Sequence, residues 1–170
     1  MLKKYLIIFF ISMIPMIELR GAVPVALSPK DMTFFGCLQG MGLPVLPSYL
    51  VCILGNMIPV PIIFFFARRV LEWGADKPYI GKLFNFFLEK GHKGGQKLHE
   101  KAGRGLFVAL LLFVGIPLPG TGAWTGTLAA SLLDMDFKSS VTAVLLGVIL
   151  AGIIMGVASM GVFGALGLVM

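Results

Sequence analysis

Ile116-Pro117-Leu118-Pro119-Gly120-Thr121-Gly122-Ala123-Trp124-Thr125-Gly126 lies inside an apolar run, Leu106 to Leu133, that carries no charged residue. Two prolines and three glycines in that stretch do not suit a straight helix. Each proline lacks a backbone donor, and each glycine lowers helix propensity. In hydrocarbon, the backbone groups freed by such a break must find partners within the protein or in a water-lined cavity. A broken segment at membrane depth is therefore a packing kink or a site. The number of breakers here favours a site.

The hydrocarbon setting follows from composition. Mean hydropathy is +0.95 and 58% of residues are apolar, against about 45–50% in soluble domains. Apolar runs long enough to span recur along the chain, which indicates an all-α integral membrane protein with one membrane domain. Cys37 and Cys52 lie in apolar surroundings and form neither a metal motif nor a disulfide framework. His92 and His99 sit among lysines. With no Cys/His cluster and no Ser/His/Asp arrangement, nothing supports an enzyme, a cofactor or a bound metal.

The net charge is +6, and nine Lys/Arg against four Asp/Glu between Arg68 and Arg104 account for +5 of it. Because these charges lie between membrane segments, the positive-inside rule makes this a cytoplasmic loop, and no nucleic-acid partner is needed. Within it, Ile80, Leu83, Phe84 and Phe87 follow the i, i+3, i+4, i+7 spacing of an amphipathic helix. That helix could lie in the membrane interface or pack on the rest of the protein.

The first apolar run, Tyr5 to Ile17, follows Lys3 and Lys4 and has the length of a signal-peptide core, but no small-residue cleavage site follows it. Its thirteen residues would cover about 20 Å of helix, short of about 30 Å of hydrocarbon. Two half-length pieces joined at Glu18 to Pro24 suit a re-entrant hairpin or a broken span better than a plain anchor. After the polar turn Ser28–Asp31, Gly36 and Gly40 stand at small-xxx-small spacing. Gly42 to Ala67 reads as a spanning helix with loosened ends, closing at Arg68-Arg69. Asp134–Lys138 is a second polar turn, with Ser139 or Ser140 expected to cap a final uncharged run to Met170. Gly152 and Gly156 give that run a GxxxG face, for packing within the domain or in a homodimer.

The order of elements repeats. Residues 1–67 and 105–170 each hold a broken apolar hairpin, a polar turn and one long span, with 68–104 as the linker between them. If the linker is cytoplasmic and the 106–133 hairpin enters from that side, its counterpart dips in from outside, and the halves are inverted repeats. Secondary transporters use this design, with a mid-membrane site between discontinuous helices. Such a topology puts Lys3 and Lys4 outside, whereas a plain span over 5–27 would keep them inside.

Glu18 and Arg20 are the only charges within the first segment, and intramembrane ionisable groups are functional candidates by default. A carboxyl at that depth could hold and release a proton. A guanidinium could grip a phosphate or carboxylate bidentately. Alternatively the two pair with each other. Gly120-Thr121-Gly122 precedes an expected half-helix from Ala123, whose free N–H groups would attract an anion. Thr121 and Thr125 add hydroxyls, and Trp124 adds a rigid wall. Asn56, alone in its apolar span, suits helix–helix bonding more than ligand binding.

Glu18-Leu19-Arg20-Gly21-Ala22-Val23-Pro24, Leu54-Gly55-Asn56-Met57-Ile58-Pro59-Val60-Pro61 and the Ile116–Gly126 stretch together resemble the bacterial and archaeal small multi-drug export protein family over nearly the whole chain. That family is in turn distantly similar to the DedA superfamily, whose members carry two opposed re-entrant hairpins and in some cases are linked to moving lipid phosphates or phospholipids. The fuller acidic and arginine pattern of DedA hairpins is not present. The resemblance implies a multi-pass transporter in a prokaryotic plasma membrane, with membrane lipids, a small-molecule or lipid-phosphate substrate and protons as partners. It adds Gly21, Pro24, Pro117 and Pro119 to the candidate site. A membrane scaffold that recruits a partner through the basic loop is the alternative.

Overall fold

A computed structural model of the chain describes residues 1–29, 32–34, 38–75, 105–118 and 120–165. The expected amphipathic helix over Ile80–Phe87 and the rest of the basic linker beyond 75 lie outside the described residues, as does Pro119. Among the described residues the architecture is all-α apart from one small ribbon. The helices are α1 (Leu2–Met13), α2 (Glu18–Leu27), α3 (Val45–Met57), α4 (Pro59–Ala75), α5 (Gly105–Gly115), α6 (Ala123–Leu132) and α7 (Phe137–Ala165).

Two stretches, Val45–Ala67 and Phe137–Gly161, are long and apolar enough to cross a membrane. The first carries a joint at Ile58. Pro59 has no N–H to continue the ladder, yet Ile58 keeps helical angles and its N–H reaches Leu54 O at 3.2 Å, so α3 and α4 run on with little interruption. The helix goes past Arg68-Arg69 to Ala75, further than expected. Leu50, Leu54, Ile62, Phe65 and Phe66 on this helix, and Ile153 and Val157 on α7, stay largely exposed. Such a surface belongs in lipid. The protein is a membrane protein.

The remaining four helices have 10 to 12 residues each, about 15–18 Å, and none crosses alone. They form two hairpins. In the first, Lys4 Nζ donates to Met41 O at 2.6 Å, while Met41 N donates to Val25 O at 3.0 Å. The start of α1 and the end of α2 are thus side by side. In the second, Leu106 at the start of α5 shares a small apolar cavity with Leu133 and Met135 beyond α6.

The first arm of each hairpin packs on the long helix that follows it, α1 on α3 and α5 on α7. The second arm packs on the long helix of the other half, α2 on α7 and α6 on α4. Buried Leu19, Val23, Val25, Val114, Val144 and Val148 form the centre of this core. The Gly152–Gly156 face is used inside the chain: the Tyr49 ring lies on it and its hydroxyl donates to Gly152 O. The buried hydroxyls of Ser12, Ser48, Thr127, Ser140 and Ser159 bond back to carbonyls of the preceding turn, whereas Ser131 donates across to Phe64 O at 3.0 Å.

Two expectations need correction. The joint of the first hairpin is Ile14–Ile17, not Glu18–Pro24: Ile14 turns to extended angles before Pro15, and Pro24 lies inside α2. The cap of α7 is Asp136, whose Oδ2 accepts from Lys138 N at 3.0 Å and Ser139 N at 3.2 Å; a carboxylate there satisfies two free amides at the positive helix end. Of the small-residue pair Gly36 and Gly40, Gly36 lies outside the described residues. Thr33–Phe34 and Leu38–Gln39 pair as a two-residue antiparallel ribbon, and a side chain at Gly40 would strike Pro29 O.

Candidate functional site at the hairpin junction

The two hairpin tips meet, and Glu18, Arg20 and Trp124 each satisfy a helix end of the opposite hairpin, whereas the Thr121 and Thr125 hydroxyls donate within their own. The break after α5 leaves carbonyls without helical donors, and the start of α6 leaves amides without acceptors. Glu18 answers the second need. Its Oε2 accepts from Ala123 N and its Oε1 from Trp124 N, both at 3.2 Å, so a buried carboxylate sits on the positive end of α6. Gly122 makes room for it. With φ at +148° and the carboxylate against its Cα, any Cβ there would overlap Glu18.

Arg20 answers the first need. It donates to Leu118 O, to Val114 O at 3.2 Å, to Ile116 O at 3.4 Å and to Thr121 Oγ1 at 2.8 Å. A planar fork with five donors suits a fan of carbonyls at the negative end of a helix. The third bond runs the same way: Trp124 Nε1 donates to Met13 O at 3.1 Å, the last residue of α1. Glu18 holds its place at a local cost. Its φ is +50°, a left-handed conformation that a non-glycine residue adopts at about 1–2 kcal/mol.

Beside the junction is a cavity of about 420 Å³ bordered by Glu18, Arg20, Pro117, Gly120, Thr121 and Thr125, together with Pro15, Met16, Ile17, Leu118 and Met155. Six of the residues singled out in the sequence therefore border one space. Gly122 and Trp124 stand next to it, as the seat of the carboxylate and the wall of a neighbouring groove. Gly21 instead packs on Ile17 within its own hairpin, and Pro24 serves α2, accepting from Ser28 N. Asn56 is buried in α3, borders none of the described cavities, and its Oδ1 has no hydrogen-bond partner among the described residues.

Pro15, Met16, Ile17, Leu118 and Met155 also border this space and were missed in the sequence. Ile14-Pro15-Met16 repeats the pattern of Ile116-Pro117-Leu118 102 residues later, which is a usable signal. Met155 offers none. Among the described residues no three His, Cys, Asp or Glu side chains come together as a metal site.

Fold and junction define a class: a helical membrane protein with two helices long and apolar enough to span, and two shorter helix pairs that meet at a polar junction. The chain belongs to the family described as "Putative small multi-drug export protein", whose model matches residues 18–154, from Glu18 into α7. No match was found among curated proteins or among solved structures.

Proposed function

We propose that the chain is a small transporter whose site lies at mid-membrane between the two hairpin tips, and that it moves a molecule with an anionic group. The observation that carries this is the polar cavity at the junction, bordered by a carboxylate and a guanidinium that both belong to the first tip. Charges at such depth are costly, and their usual place is a substrate or ion path. The family name supports export as the process.

Two inverted repeats with re-entrant hairpins form the scaffold of this proposal. In support, the Lys4–Met41 bond ties the base of the first hairpin to the start of the 45–75 helix. The second hairpin ends at Met135, beside Phe137, whose ring meets Phe64 and Phe65 in the later part of that helix. Tyr49 meets Gly152, so the long helices run antiparallel and the hairpin bases are at opposite ends. On charge alone, we place residues 68–104 on the cytoplasmic side of a prokaryotic plasma membrane.

The bonds at the junction double as a mechanism. Protonating Glu18 would weaken its hold on the Ala123 and Trp124 amides, because an ionised acceptor makes the stronger bond. An anionic group could then take those amides, with Arg20 alongside. Proton coupling follows from that exchange. A cationic drug would use Glu18 as its counter-charge and leave Arg20 without a task in transport.

The test is native mass spectrometry of wild type, Arg20→Ala and Arg20→Lys in detergent, each offered lipid phosphates, anionic phospholipids and cationic drugs together. Wild type should retain an anionic ligand, and folded Arg20→Ala should lose it. Equal retention by both removes the anion assignment.

A further inference from the structure

A second cavity, of about 460 Å³, adjoins the polar one. Ile63, Phe66 and Val70 of α4 wall one side, and Trp124 and Leu128 of α6 the other. Pro15 and Thr125 border both cavities, so the two lie side by side. Trp124 belongs to both environments. Its backbone N–H donates to Glu18, its ring walls the groove, and its indole N–H is held on Met13 O. Phe66 is 66% exposed and Leu128 42%, so the groove opens sideways, toward the lipid-facing surface.

We propose that this groove holds the apolar tail of an amphiphile whose charged head lies in the polar cavity. The substrate class is then a single-tailed amphiphile, not a small polar ion. The proposal rests on the junction being a transport site, as above, and adds what the substrate must carry besides its head. Commitment to a tail follows from adjacency: a space bordered by two charges and an apolar groove of similar volume share two wall residues, and the groove opens toward lipid. A tail could enter from the bilayer without leaving hydrocarbon. Exchanging lipid for groove gains little transfer energy, because lipid tails are as apolar as leucine. The signature is therefore proximity to Trp124, not a steep dependence of affinity on chain length.

The experiment uses the full chain in lipid nanodiscs with Trp73→Phe, which leaves Trp124 as the sole tryptophan. Dodecyl phosphate and dodecyltrimethylammonium, each brominated at mid-tail, are titrated against Trp124 fluorescence. The expected result is saturable quenching by the phosphate, reversed by its unbrominated analogue. Quenching should lose its saturable part in Val70→Phe/Leu128→Phe, which narrows the groove from both walls. That double variant should still retain butyl phosphate in native mass spectrometry.

Quenching that rises linearly with mole fraction in both chains, as for any bilayer lipid, overturns the proposal. Arg20-dependent retention of butyl phosphate without saturable quenching removes the groove and leaves the anion site standing. Saturable quenching by the ammonium probe alone, indifferent to Arg20→Ala, keeps the groove and removes the anionic head. Neither quenching nor retention removes both.

Discussion

The two hairpins share a length and a path but divide their chemistry. The first has a four-residue joint, Ile14–Ile17, without glycine, and carries both charges just beyond it. The second has no charge, and its joint over 116–122 contains Gly120 and Gly122, both at positive φ. Most of the unsatisfied backbone lies in the second hairpin and is answered by Glu18 and Arg20 of the first, while Trp124 returns one bond to Met13 O. A charge can therefore have a structural use and still face an open space. Here Glu18 and Arg20 hold the tips together and also border the cavity between them.

If the tips are seated on one another in this way, substitutions should rank by how much of the exchange each removes. The largest effect is expected from Gly122→Ala. An L residue at φ +148° is strained, and its methyl would displace Glu18 from both amides. Together these should cost about 3 kcal/mol or more, seen as a lower melting temperature in fluorescence-detected size exclusion. An unchanged melting profile would break the claim that Gly122 exists to seat the carboxylate.

Glu18→Ala comes next. It removes the acceptor of the Ala123 and Trp124 amides in a largely buried junction, at about 2–3 kcal/mol. Hydrogen exchange at those two amides should accelerate selectively, and Glu18→Gln, which keeps one acceptor, should fall between. Uniform acceleration along α6 would mean the carboxylate supports packing instead of the helix end.

Arg20→Lys sharpens the other half of the comparison. An ammonium is a point charge and cannot serve Val114, Ile116 and Leu118 carbonyls and the Thr121 hydroxyl together. A loss of about 1–2 kcal/mol is expected, with raised protease sensitivity over 114–121. Lysine behaving as arginine does would show that charge, not the fork, is what the broken helix needs.

Trp124→Phe should be the mildest, at about 1 kcal/mol, since it removes the single bond to Met13 O and keeps the apolar wall. A penalty as large as that of Glu18→Ala would move the weight of the junction from the carboxylate to the indole.

Much of this junction was legible in the sequence. The second break, the start of α6 at Ala123 and the importance of Glu18 and Arg20 follow from breakers and charges placed in hydrocarbon. The first joint was harder. Two charges and Pro24 imitate a loop, but α2 continues through Pro24, the seventh of its ten residues, and Pro15 with an extended Ile14 ends α1 earlier. At α7, serines drew attention as caps while Asp136 had the better acceptor for a positive helix end. The Gly120–Gly122 turn looked like a vacant anion seat, yet the anion beside it comes from the chain's own first hairpin.

The sequence by itself determined the solvent and the segments: hydropathy sets the membrane, and proline and glycine positions set where helices stop, because both act locally. Only the tertiary structure decided the pairing. Glu18 with Ala123, Arg20 with Leu118 and Met13 with Trp124 are contacts across 98 to 111 residues. A hydrogen bond requires a donor and an acceptor at one point in space, and periodicity along a chain does not say which distant helix ends will meet.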